Sequence, residues 1–127
     1  MASFTDYLED AVLNYVFRNT GTPTSTSVYL GLFTVAPTDA GGGTEVSGAG
    51  YARQVTAFDA ASGGAITNTA AESFTASGGD YGTVVASGVF DALTGGNLLG
   101  YASDTPAIVN DGTTINYAIG AIDISLT

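Results

Sequence analysis

"TVVASGVFDALTGGNLLGYAS", Thr83 to Ser103, places two apolar runs on either side of one turn. Val, Phe, Leu and Tyr dominate 83–91 and 97–103, and "FDALTGGNLL" carries Gly95-Gly96 and Asn97 where the chain must reverse. Apolar runs flanking a glycine turn signal a β-hairpin, which pairs its strands antiparallel. The same signature recurs outward in both directions. Strands are expected at 28–34 "VYLGLFT", 51–58 "YARQVTAF", 72–76 "ESFTA", 113–119 "TTINYAI" and 121–127 "AIDISLT". Between them lie Gly, Ser, Asn and Asp clusters such as "DAGGGTEVSGAG", "DAASGGAITNT" and "ASGGDYG". Short strands at near-regular spacing predict a mainly β fold, an antiparallel β-sandwich of jelly-roll-like kind. The 127 residues suit one domain, with the sandwich over 28–127. The last predicted strand runs to Thr127, as when a terminus is tied into a sheet.

One segment has a different period. In 3–18, "SFTDYLEDAVLNYVFR", Phe4, Leu8, Val12, Tyr15 and Val16 recur at helical spacing. This predicts an N-terminal α-helix within 1–20. Ser3 is the expected N-cap, with Asp6 in the place of a capping-box acid. Asp6, Glu9 and Asp10 stand toward the start and Arg18 at the end, as the helix dipole favours. Asn19, Thr20 and Gly21 stop it. Tyr7, Leu13 and Phe17 widen the apolar stripe, so the helix must be covered by its own sheet or by a neighbouring chain.

The composition excludes several functions. Twelve acidic residues face two arginines, with no Lys, no His and no Cys, for a net charge of −10. Nucleic acid and anionic membrane surfaces both need basic side chains, so neither is expected as a partner. Disulfides and thiolate metal sites are impossible. No apolar run approaches a membrane span, and no basic segment precedes an apolar one as in a secretory signal.

Without His, Cys or Lys, no Ser-His-Asp or Cys-His arrangement and no P-loop can be drawn. No cofactor is expected. Paired carboxylates remain. Asp39, Glu45, Asp59, Asp80, Asp91, Asp104, Asp111 and Asp123 could supply an acid and a base for glycoside cleavage. The competing reading is that turn Asp residues accept hydrogen bonds from backbone N–H groups. Asn110 and Asp111 could contribute to a calcium site, though no EF-hand spacing supports one.

Two loops and one cation stand out. Gly41-Gly42-Gly43 could approach a ligand closely or be a plain surface loop. Tyr81 in "GGDYG" reads as an exposed contact at a loop tip. Arg53, expected on a strand, needs a carboxylate: one on a partner surface, or Glu45 or Glu72 within the chain. The interface candidates are therefore Phe4, Leu8, Val12, Tyr15, Val16, Arg53 and Tyr81.

Four stretches carry a family resemblance: "YLEDAVLNYVFRNT" (7–20), "VYLGLFTVAPTDAGGGTEVSGAGYARQ" (28–54), "AITNTAA" (65–71) and "YGTVVASGVFDALTGGNLLGY" (81–101). Together they resemble small virion proteins of tailed bacteriophages, often labelled tail fibre proteins. The chain is also similar in kind to the decoration, or cement, proteins that stud phage capsids, commonly as trimers. The resemblance implies a non-enzymatic structural protein of the virion, assembled in the host cytoplasm. Capsid decoration is the leading expectation and a tail-fibre or receptor-binding module the alternative. The partners would be further copies, as a homotrimer, and the major capsid protein or a tail protein. The family offers no catalytic residues to carry over.

Overall fold

A computed structural model describes residues 3–21 and 27–126. In chain order its elements are β1 (Ser3–Phe4), α1 (Asp6–Arg18), β2 (Val28–Val35), β3 (Thr44–Glu45), β4 (Gln54–Thr56), β5 (Ala65–Thr67), β6 (Glu72–Thr75), β7 (Gly82–Phe90), β8 (Leu98–Val109), β9 (Thr114–Tyr117) and β10 (Asp123–Ser125). The fold is mainly β, antiparallel throughout its strand pairs, with one helix.

The hairpin expected over 83–103 is β7 and β8, at the middle of the main sheet. The sheet order is β1-β8-β7-β2-β3, and β4 also pairs with β2. Two ribbons, β5–β10 and β6–β9, form the opposing layer. Leu30, Leu32, Val84, Val89 and Leu99 from the sheet meet Phe74 and Ile122, with Ile115, Tyr117 and Ile124 packed against them. Burying each large apolar side chain contributes roughly 1.5–3 kcal/mol, which makes this sandwich core the main source of stability.

The other face of the sheet holds a smaller cluster. Gly31 and Gly88 stand opposite each other in the β2–β7 ladder. Phe33 and Phe90 stack over the space they leave, with ring centroids 5.8 Å apart. A Cβ on Gly88 would come within 2.7 Å of Leu98 and 3.0 Å of the Phe33 ring. These glycines are needed for close packing, not for turning.

Several boundaries differ from the sequence reading. β8 does not stop at Ser103; it continues through Pro106. Val84 pairs with Ala107 and Ala86 with Ser103, so Asp104, Thr105 and Pro106 bulge opposite Val85. A bulge tolerates a residue without an N–H. β5 and β3 lie in stretches expected to be loops. The expected strands at 51–58 and 121–127 shorten to β4 and β10, and Thr127 is outside the described residues.

The helix starts two residues later than expected. Ser3 is not its cap, because the backbone of Ser3 and Phe4 is engaged in the ladder with β8. Thr5 is the N-cap: its hydroxyl accepts from Leu8 N at 3.5 Å and donates to Leu98 O at 2.6 Å. Its own N–H donates to Leu99 O at 3.0 Å. One buried threonine therefore caps α1 and fastens it to the sheet. Asn19 closes the helix in the left-handed conformation at φ 51°. Leu8 packs on the core and Val12 is half-buried, yet no residue of α1 is fully buried.

Candidate functional site

The most heavily bonded polar cluster sits on the edge of β2. β4 covers that edge over Val28–Leu30 and β3 takes over at Phe33. Between them the N–H of Leu32 lacks a strand partner and donates instead to the Tyr51 hydroxyl, at 2.9 Å. The Tyr51 hydroxyl in turn donates to Glu45 Oε2 at 2.7 Å. Arg53 completes the cluster with a forked pair: Nε to Oε2 and Nη2 to Oε1, both 2.8 Å. Its Nη1 donates to Ala92 O at 2.7 Å and Gly95 O at 2.8 Å, in the β7–β8 turn. The guanidinium carbon lies 3.4 Å from the centroid of the Phe90 ring. Gly31 makes this convergence possible, because a Cβ there would sit 2.8 Å from Phe90, 3.0 Å from Glu45 and 3.0 Å from the Tyr51 oxygen.

The electrostatics follow from this geometry. Burial alone would raise the Glu45 carboxyl, but the hydrogen bonds from Arg53 and Tyr51 and the arginine's charge outweigh it and hold the group below its ordinary 4.5. Burial, then the hydrogen bond to Glu45, pushes the Tyr51 phenol far above its usual range. The Arg53 side chain is 7% exposed and that of Glu45 26%. Every charge here is matched within the chain.

A groove of about 400 Å³ lies beside this cluster. The first turn of α1, the Gly41–Gly43 loop and the tip of the β7–β8 turn form its walls, and Phe33 and Phe90 its base. Asp6 and Asp39 bring carboxylates to the rim, and Asp39 Oδ1 accepts from the Tyr101 hydroxyl at 2.7 Å. The two phenylalanines are almost fully buried, so they offer a ligand little ring surface. Gly41 and Gly42 have open space where a side chain would stand. Gly43 does not: at φ +75° its Cβ would meet Val35 O at 2.6 Å. The loop is thus half surface and half structure.

The acidic residues weighed for catalysis are mostly engaged in turns and strand contacts. Asp91 accepts from the backbone N–H and side-chain amide of Asn97, Asp80 from Asp111 N, Asp111 from Gly78 N, and Asp59 from Thr67 N. Asp104 accepts from the Tyr117 hydroxyl at 2.8 Å. Among the described residues, no three acidic side chains converge where they could hold a metal ion.

The interface candidates do not form one surface. Phe4 is half-buried in β1 and Leu8 is turned to the core, while Tyr15 and Val16 are exposed. Arg53 lies just before β4, not on a strand, and is saturated by Glu45 and two carbonyls. Tyr81 is not an exposed loop tip. Its ring is buried edge-on to Tyr51 and its hydroxyl donates to Thr75 O at 3.0 Å. The flanking Gly78 and Gly82, both at positive φ, turn the chain inward at this point. One structural residue escaped the sequence reading altogether. Asn68, buried, donates to Ala70 O and Ala118 O and accepts from Ile122 N, joining three chain segments.

Residues 3–125 match a family described as podophage GP4 fiber I protein gp80. The chain belongs to this family. The match spans the helix, the Glu45–Arg53 cluster and both layers of the sandwich, and it supports a structural, virion-associated protein of a bacteriophage. No curated protein matches the chain. Among the described residues, no helix is long and apolar enough to cross a membrane.

Proposed function

We propose that the chain is a non-enzymatic structural module of a phage fibre, a folded unit held in place by other virion proteins. The observation that carries this reading is the fibre-family match over residues 3–125. The polar chemistry agrees with it. The one forked ion pair described is closed on itself, and the carboxylates named above hold turns and strand partners in place. A catalytic acid and base would need to be free to exchange protons with a substrate.

Capsid decoration is the second reading. It is favoured by the compact two-layer body, whose strands of 2–12 residues contain no repeating shaft. Copy number separates the two. Purified particles are digested and the chain is quantified by mass spectrometry against the major capsid protein. A fibre module predicts a ratio far below one. A ratio near one supports decoration, and absence from particles removes both.

A further inference from the structure

Exposed large apolar side chains stand singly at several strands and turns, such as Val55, Ile108 and Ile119, but five of them gather on one element, α1. Leu13 is 54% exposed, Val16 61% and Phe17 78%, with Tyr7 and Tyr15 also open. The stripe turned to the sheet is Leu8, Ala11 and Val12, all half-buried. The opposite stripe reads Asp6, Asp10, Leu13, Phe17, at spacings of three and four. The N-terminal half of this solvent-facing stripe is acidic, but its C-terminal half presents Leu and Phe where water favours polar residues.

The charges on this helix say what fits it. Its acids, Asp6, Glu9 and Asp10, lie in the first half, and its one base, Arg18, in the last turn. The Arg18 side chain is tied only lightly, Nη1 to Asn14 Oδ1 at 2.9 Å in an exposed bond. An antiparallel copy of the same helix presents the reverse order. Setting Leu13 of one copy against Phe17 of the other brings each Arg18 level with the partner helix at position 12. The partner's Asp10 is then two residues away, about 3 Å of helical rise and within an arginine's reach. Two such contacts form at once, as a two-fold axis requires. The remainder of the molecule is acidic and would repel a second copy at most other approaches.

We propose that the outer stripe of α1 is a self-docking surface, which pairs antiparallel with the same stripe of a second copy through Leu13 and Phe17, flanked by Arg18–Asp10 bridges. The contact belongs to the isolated chain and holds wherever in the virion it resides. The exposed apolar side chains offer on the order of 400 Å² per copy, about half the area per partner of a stable interface. Association should therefore be weak and felt mainly at the high local concentration of an assembly.

Sedimentation of the full chain from 1 to 500 μM tests this, with far-UV circular dichroism and thermal melting confirming that every variant folds. A reversible monomer–dimer equilibrium is expected. Phe17→Ser should weaken it at least tenfold. Asp10→Arg and Arg18→Glu should each weaken it about fivefold, and the double variant should restore it. A wild-type chain monomeric throughout the range overturns the proposal. So do single charge variants that dimerise normally, or a threefold species in which parallel helices bring the Arg18 side chains together.

Discussion

The two arginines of this chain carry the same charge and have opposite surroundings. Arg53 makes a forked pair with Glu45, donates to two carbonyls and lies against the Phe90 ring. Arg18 ends an exposed helix and bonds one neighbouring amide. The first closes a gap in the edge of β2, where two short strands fail to meet. The second stands next to Phe17, the most exposed large apolar side chain of the helix. Charge that is fully matched inside the fold contributes stability and leaves nothing for a partner. Charge left in water beside apolar surface contributes little to folding and remains free to select one.

The comparison breaks most sharply at the paired arginine. Arg53→Ala leaves Glu45 half-buried without its counter-charge and opens two carbonyls, which should cost about 3 kcal/mol or more. Chemical denaturation measures it. If the loss is below about 1 kcal/mol, the cluster is not structural.

Gly31→Ala comes next. Its methyl group would press on Phe90, Glu45 and the Tyr51 oxygen at once. Overpacking of this kind should cost about 2–3 kcal/mol. Gly42→Ala meets only open space at φ +80°, so backbone strain alone applies, about 1 kcal/mol. Equal losses at the two sites would contradict the close approach at Gly31.

The cluster should also set the pH limits of stability. The Glu45 carboxyl is depressed in the fold, so its contribution is complete above 4.5 and disappears as pH falls through the lower folded value. Tyr51 and Tyr117 are raised, both mainly by burial, so their contribution is complete below the ordinary 10.0 and is lost as pH rises beyond it. Thermal melts across pH should give a plateau with an acid and an alkaline limb. Tyr117→Phe should soften the alkaline limb and leave the acid limb unchanged.

The smallest effect is expected on the helix. Val16→Asp should change stability by less than about 0.5 kcal/mol, because the side chain already faces water. Val12→Asp, at a half-buried position, should cost more.

The sequence made the centre of the fold legible and its margins less so. β2, β7 and β8 are long apolar strands around a marked turn, and they were readable because their signal is local. β3 and β5 were not, since two or three residues in a glycine-rich stretch carry no period. They exist because distant partners, β2 and β10, supply their hydrogen bonds. Ser3 is by type the better cap, and only the ladder with β8 hands the role to Thr5. Glu45 stood among the possible partners of Arg53, but its fork depends on the gap at Gly31, which no local pattern reveals. The burial of Tyr81 is not legible in "GGDYG", because glycines mark a turn without saying which way it faces.

The most direct test sets thermal unfolding of Arg53→Lys beside that of Arg18→Lys. Lysine keeps each charge but cannot form the fork or span to the carbonyls. The account predicts that Arg53→Lys melts several degrees lower while Arg18→Lys melts with the unmodified chain. Equal melting of all three would contradict it, because the Glu45–Arg53 cluster would then not be holding the sheet edge together.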